Sequence, residues 1–183
     1  MSTVHGVLAE GCWHSFHGRT AEALRAYERA AKMVRESLCV NAHTVLTVPM
    51  LAMGLRLHAD AVGPRDVHQA EQLRRRAYRV AKWATRITRL FPAAYPIALR
   101  ERALTLAASG KTKRALKYAD KSSAIAEAQK AKNEHAQSML VRGKLAKQLG
   151  QPEAEQQIRT AEAAIQAIEE SLSDVVSRAS VLS

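Results

Sequence analysis

The stretch Ala107 to Leu116, AASGKTKRAL, contains Gly110-Lys111-Thr112, the tail of a loop that wraps nucleotide phosphates. That chemistry needs Gly-x-x-x-x-Gly-Lys-Ser/Thr, because the first glycine lets the backbone fold round the phosphates. Five residues before Gly110 stands Thr105 instead. The loop must also follow a strand, whereas the preceding IALRERALTLAAS puts Leu99, Ala103, Leu106 and Ala107 on one helical face. Both tests fail. Gly110 reads as the cap that ends one helix, and Thr112 as the N-cap of the next.

Metal chemistry is offered by CWHSFH. His14 and His17, three apart, could share an ion on a helix, but Cys12 projects elsewhere and no second ligand cluster accompanies them. A helix-packing cysteine and surface histidines are the reading adopted. His5, His43, His58, His68 and His135 are scattered and carry no assigned role. Cys12 and Cys39 read as reduced, buried thiols, with no geometric support for a disulfide. Glu101 and Glu127 stand apart and no Ser-His-Asp order suggests itself. The sequence therefore implies no catalytic residue, no metal and no cofactor, and the chain is expected not to be an enzyme.

Charge is the strongest functional signal. The net +11 is unevenly placed: +1 over residues 1–63, +14 over 64–149 and −4 over 150–183. Within the basic segment, Arg75, Arg79, Lys82, Arg86 and Arg89 repeat every three or four residues. Leu73, Ala77, Val80, Ala84, Ile87 and Phe91 have the same spacing on the opposite helical face. Like charges at this spacing cost about 0.2–0.5 kcal/mol per pair, and on this helix only Glu71 opposes them. The ridge is either a solvated face relieved by carboxylates of a neighbouring helix, or a contact for an acidic peptide or nucleic-acid phosphates. A second run holds Lys113, Arg114, Lys117 and Lys121, followed by Lys130 and Lys132. Spacing does not fix whether the two runs share a surface. Trp13 and Trp83 read first as packing residues, Trp13 wedged between helices; Trp83, beside Arg79 and Lys82, is the better candidate for a contact surface. The candidate partner-binding set is thus Arg75, Arg79, Lys82, Trp83, Arg86 and Arg89 with Lys113, Lys117 and Lys121. The acidic eighth helix (Glu153, Glu155, Glu162, Glu169, Glu170) could answer some of this charge within the chain or across a homo-oligomer.

The elements that must position these residues are helices. Composition is 47% hydrophobic but only 4% aromatic, and alanine and leucine supply most of the apolar mass. No alternating strand pattern is found. Glycines at Gly18, Gly63, Gly110 and Gly150 lie 45, 47 and 40 residues apart, each between two amphipathic stretches. Left-handed glycine caps are expected at these turns, with Thr20, Asp66 and Thr112 as N-caps and Pro152 in a first turn. The pattern predicts helices over 3–17, 20–38, 42–62, 65–91, 94–109, 112–130, 132–149 and 152–172. Pro49 should start or bend the third, and FPAAYP (Phe91 to Pro96) should form a corner. Residues 1–172 are expected as one domain, and 173–183 as an extension of the last helix or a frayed tail. No apolar run is long enough for a membrane span and no signal peptide is evident, so a cytoplasmic location is expected.

A helix-turn-helix period of 40–47 residues is the signature of an α-solenoid. The first pair, LAEGCWHSFHGRTAEALRAYERAAK, resembles a tetratricopeptide repeat, with Gly11, Ala23, Tyr27 and Ala30 at the motif's packing positions. The third pair keeps Ala103, Gly110, Ala115 and Leu116, with Ala119 and Ser122 at the later places; the fourth keeps Gly143 and Gly150, with Ala154, Ile158 and Ala161 shifted by one. The second matches only in its turn and its amphipathic fourth helix. The stretch from Tyr95 to Ile158 is similar to the helical tail of large bacterial signalling ATPases and kinases. That resemblance implies an all-α right-handed solenoid of about four tetratricopeptide-like hairpins. It also implies a non-catalytic protein–protein interaction scaffold or sensor module in bacterial signalling. The alternative is a nucleic-acid-binding helical repeat that uses the basic 64–149 segment.

Overall fold

In a computed structural model, residues 3–37, 41–42 and 44–181 are described. Among them are eight α-helices and no strand: α1 (Val4–Phe16), α2 (Thr20–Ser37), α3 (Thr47–Val62), α4 (Val67–Ile87), α5 (Tyr95–Ala107), α6 (Thr112–Ala128), α7 (Lys132–Gln148) and α8 (Ala154–Val181). Two short 3₁₀ turns, Thr88–Leu90 and Pro92–Ala94, make the corner expected at FPAAYP. Most of the predicted ends overshoot by a few residues, whereas α8 continues past its expected end at 172 to Val181. α3 starts at Thr47, with Pro49 in its first turn where a missing N–H costs nothing. α4 tightens into the first 3₁₀ turn after Ile87 instead of running to Phe91.

Three of the four glycine turns are as the sequence suggests. Gly18, Gly110 and Gly150 have φ of +70°, +71° and +70°. In each, the residue after the glycine donates its N–H five residues back: Arg19 to His14, Lys111 to Leu106, Gln151 to Ala146. Gly63 departs from this pattern. Its φ is −51°, and the α3–α4 turn stays in the right-handed region. The fourth left-handed position is Lys130, at φ 56°, which closes the α6–α7 turn with the same bond pattern, Ala131 N–H to Ala126 carbonyl. Of the expected N-caps, Asp66 accepts from the Gln69 N–H at 2.8 Å. Thr20 and Thr112 instead fall inside their helices as first residues, and the Thr20 hydroxyl meets His58 Nδ1 at 3.1 Å. Pro152 lies in the turn ahead of α8.

Each helix packs on the next along the chain, and α1–α3, α3–α5 and α5–α7 also touch. Even-numbered helices meet through side chains, as where Arg76 of α4 pairs with Glu28 of α2 and Leu24 of α2 shares a core cluster with Ala77 of α4. Small residues make this possible. Tyr27 of α2 is 0% exposed and lies between two glycines. A Cβ on Gly11 of α1 would come 2.5 Å from its Cε1, and one on Gly54 of α3 would come 2.6 Å from its Cδ2. The ring thus bolts three helices together, while its hydroxyl meets Ser15 Oγ at 3.1 Å. Gly143 of α7 likewise admits Ile158 of α8, whose Cγ1 would be 2.9 Å from an added Cβ. In the third pair Ala103, Leu106, Ala115 and Ala119 form a core with Leu145 of α7, and Leu116 packs at its margin.

Polar links tie the odd-numbered helices. Arg56 of α3 donates Nε and Nη2 to the two oxygens of Glu101 in α5, both at 3.1 Å, in a largely buried fork. Arg100 of α5 pairs with Glu134 of α7 at 2.6 Å. Trp13 is not a wedge: it is 51% exposed, stacked on His17 at 4.3 Å with the Arg19 guanidinium 5.1 Å from its ring. Cys12 is exposed rather than buried, and Cys39 lies outside the described residues.

Candidate functional site

A cleft runs along α4 and α6 with α5 as its floor. At one end is a cavity of about 580 Å³ lined by Glu71, Arg74, Arg75, Tyr78, Arg79 and Lys111, with Ala108 and Ser109 of the α5–α6 turn. At the other is a cavity of about 270 Å³. Lys82, Arg86 and Arg89 of the α4 side, Arg114 and Lys121 of α6, and Arg102 of α5 line it, with Tyr95, Tyr118, Thr85 and Leu99. The two meet where Arg102 stacks on Tyr78, Cζ to ring centre 3.9 Å.

The helical period explains the walls. Arg79, Lys82, Arg86 and Arg89 are exposed, while Ala70, Ala77, Ala81 and Ala84 on the other side of the helix are buried. The remaining α4 arginines are answered elsewhere: Arg74 by Asp60 of α3, Arg76 by Glu28 of α2 and Arg75 by Glu71 on its own helix. Carboxylates that could have neutralised the cleft are turned away from it. Glu101 faces Arg56, and Asp120 faces Arg142 at 2.7 Å. Among the described residues, no carboxylate lines the smaller cavity and six cations do.

Arg102 is the least ordinary of them. It is 2% exposed and has no carboxylate at ion-pair distance among the described residues. Its Nη1 donates to the Tyr78 carbonyl at 3.0 Å, and the guanidinium also lies 5.9 Å from the Tyr118 ring. Desolvating a charge without a counter-ion costs several kcal/mol unless hydrogen bonds and ring faces offset it.

The tyrosines register the resulting field. The Tyr78 phenol is held below its ordinary pKa, first by the hydrogen bond from Arg102, then by the charges of Arg102, Lys111 and Arg114 against an opposing desolvation. Burial alone would raise the Tyr95 phenol, yet hydrogen bonds from Arg89 and Lys121, with their charges, bring it below the ordinary value. Two phenols on one cleft that ionise more readily than usual mark a place built to favour negative charge.

Of the residues singled out from sequence, Arg75, Arg79, Lys82, Arg86, Arg89 and Lys121 line this cleft. Lys113 and Lys117 are exposed on α6 but line neither cavity. Trp83, 51% exposed, lines a separate apolar cavity of about 490 Å³ with Val34, Val45, Val48 and Leu51, between α2 and α4. A step of one residue from Lys82 turns it about 100° round the helix, and so into the neighbouring groove. Sequence reasoning did not select Arg102, Arg114, Lys111 or the three tyrosines. The available signal was the alternation of Tyr and Arg/Lys from Tyr78 to Lys121, which helical spacing alone does not gather onto one cleft.

Gly110-Lys111-Thr112 is a helix–turn–helix, and the Lys111 ammonium lies 5.5 Å from the Tyr78 ring. Among the described residues no three His, Cys, Asp or Glu side chains converge as metal ligands, and no helix is long and apolar enough to cross a membrane. His14 lies 3.8 Å from Glu10, and the His17 ring nitrogen meets the Trp13 carbonyl at 2.8 Å. α8 packs on α7, and its Glu155 pairs with Lys147 at 2.7 Å. No known protein family model matches the chain, and no curated protein matches it.

Proposed function

We propose that this chain is a non-catalytic protein-interaction module, a stack of tetratricopeptide-like hairpins, which takes an extended acidic segment of a partner protein into the α4–α5–α6 cleft. The observation that carries this reading is a cavity with six cations and no carboxylate on its walls, among residues otherwise well supplied with ion-pair partners. Uncompensated like charges on a preformed cleft favour and steer an anionic ligand. Sequential hairpin packing, with the odd-numbered helices in contact, supports a solenoid arrangement, in which clefts between layers are natural docking grooves. The resemblance to signalling ATPase tails supports a role for such a module in bacterial signalling, as a scaffold or sensor.

A nucleic-acid partner is the second reading, and the net charge of residues 64–149 favours it. Two features weigh against it. Sequence-tolerant binding of single strands relies on bases stacking on open aromatic faces. Here each ring already holds a cation against it: Arg102 and Lys111 at Tyr78, Lys121 at Tyr95, Arg102 near Tyr118. A duplex, whose major groove alone is about 12 Å wide, is too broad to enter cavities of about 270 and 580 Å³.

The test is fluorescence anisotropy at near-physiological salt with three probes: a peptide of alternating glutamate and alanine, a random-sequence single strand and a random-sequence duplex. The peptide should bind the wild type and lose binding in Arg79→Glu/Arg86→Glu, while Trp83→Ala, in the other groove, leaves it intact. Sub-micromolar binding of either nucleic acid, abolished by the same charge reversal, moves the assignment to nucleic acid. Values near 10⁻⁴–10⁻⁶ M are about what any basic surface gives.

A further inference from the structure

We propose that the smaller cavity is a phosphoryl-binding subsite centred on Arg102, so that the partner segment carries a phosphorylated side chain. This rests on the acidic-segment reading above and sharpens it. The floor of the cavity is a guanidinium that is 2% exposed and held between Tyr78 and Tyr118. Its acceptor among the described residues is the Tyr78 carbonyl, at 3.0 Å. A guanidinium carries more donors than one tyrosine can satisfy, in a planar fork that matches two oxygens of one oxyanion. The aromatic stack at 3.9 Å holds that plane in place before any ligand arrives. Arg86, Arg89, Arg114, Lys82 and Lys121 close the remaining sides.

Charge and stoichiometry select the ligand. A carboxylate brings one charge and two acceptor oxygens. A phosphomonoester brings roughly −1.5 to −2 and three strong acceptors, which suits several arginines converging on one point. A volume of about 270 Å³ has room for one such group and the side chain that carries it, not for a run of carboxylates. The structure also spends carboxylates on Arg74, Arg76, Arg100 and Arg142 around the cleft, yet provides none here. The larger cavity, where Glu71 offsets Arg75, suits the unmodified acidic flank of the same segment.

The experiment uses one acidic peptide in three forms, with serine, glutamate or phosphoserine at a central position, titrated against the full chain by anisotropy. The phosphoserine form should bind at least tenfold more tightly than the glutamate form, and phenyl phosphate should compete for that difference. Arg86→Gln/Arg114→Gln, on exposed positions that leave the core alone, should bring the phosphoserine form down to the glutamate form. Arg102→Gln should do the same, with circular dichroism to establish that this variant is folded. Equal binding of the glutamate and phosphoserine forms to the wild type overturns the subsite and leaves the acidic-segment reading standing. Absence of binding by all three forms overturns both. A phosphoserine preference that survives the Arg86→Gln/Arg114→Gln change places the phosphoryl group elsewhere and overturns the assignment. A single-stranded oligonucleotide that binds more tightly than the phosphopeptide and displaces it assigns the cavity to nucleic-acid phosphates and overturns it too.

Discussion

Replacing Gly54 by alanine should destabilise the protein, although the same change in most helices stabilises. Alanine is favoured over glycine inside a helix by about 0.8–1.0 kcal/mol. At Gly54 the new Cβ would stand 2.6 Å from Tyr27 Cδ2 and 3.2 Å from Cε2. Carbon atoms prefer separations of about 3.5–4.0 Å, so the ring must retreat by roughly 1 Å. It has nowhere to go. Its other edge already lies against Gly11, where an added Cβ would be only 2.5 Å from Cε1. The hydroxyl is also held near Ser15 and Cys12. Overpacking a closed core costs about 1–3 kcal/mol. With no room on either side the upper part of that range applies, and after the gain in propensity about 1–2 kcal/mol of net loss remains. Gly6 provides the control. A Cβ there meets only Thr3 Oγ1 at 3.5 Å, an ordinary contact, so Gly6→Ala should stabilise by a few tenths to about 1 kcal/mol. The two alanines should therefore differ by about 2 kcal/mol. In urea, at about 1–3 kcal/mol per molar, that is a midpoint separation near 1 M with unchanged slope. In a Tyr27→Leu background the smaller side chain relieves the clash, and the cost of Gly54→Ala should largely disappear, a coupling of over about 1 kcal/mol. If Gly54→Ala stabilises as Gly6→Ala does, or costs the same with leucine at position 27, Tyr27 is not clamped as described.

Lys130→Gly should raise stability by about 1 kcal/mol, because a left-handed backbone at φ 56° penalises a side chain and not glycine; the urea midpoint reads this directly. Glu101→Gln, which leaves Arg56 buried without its carboxylate, should cost about 3–5 kcal/mol, whereas Arg56→Met with Glu101→Leu should cost far less; a thermal melt of the set separates an unpaired charge from lost packing. Burial holds the Tyr27 phenol well above the ordinary tyrosine value, so it stays neutral in the folded protein while the unfolded chain ionises near about 10. Its contribution is fully present below that pH and is lost as pH rises above it. Urea titrations at pH 9 to about 11 should therefore show the stability difference between wild type and Tyr27→Phe shrinking and then reversing sign. A constant difference across that window would place the phenol in contact with water.

Sequence by itself determined which segments coil, which face of each is apolar and three of the turns that end them. Those properties are local. A 3.6-residue period, a glycine at each of three left-handed turns and an aspartate cap at Asp66 act within one or two turns of chain. The tetratricopeptide resemblance also set Gly11 and Tyr27 at packing positions, and their contact lies within one hairpin. The second glycine against the same ring, Gly54, belongs to the next hairpin and left no periodic trace. Lys130 in a left-handed turn was hidden because packing of α6 on α7 overrides the preference of a side chain for the right-handed region. For the cleft, periodicity put Arg79, Lys82, Arg86 and Arg89 on one side of α4, but a stripe is defined only about its own axis. What that side faces depends on crossing angles and on where the 3₁₀ corner sends α5. Only tertiary structure placed Lys121 and Arg114 of α6 opposite the stripe, Arg102 beneath it, Trp83 in the next groove, and the neutralising carboxylates on Arg74, Arg76 and Arg142 instead. Electrostatics acts through space at a few ångströms, so the sign of a cleft depends on side chains that are distant in the chain.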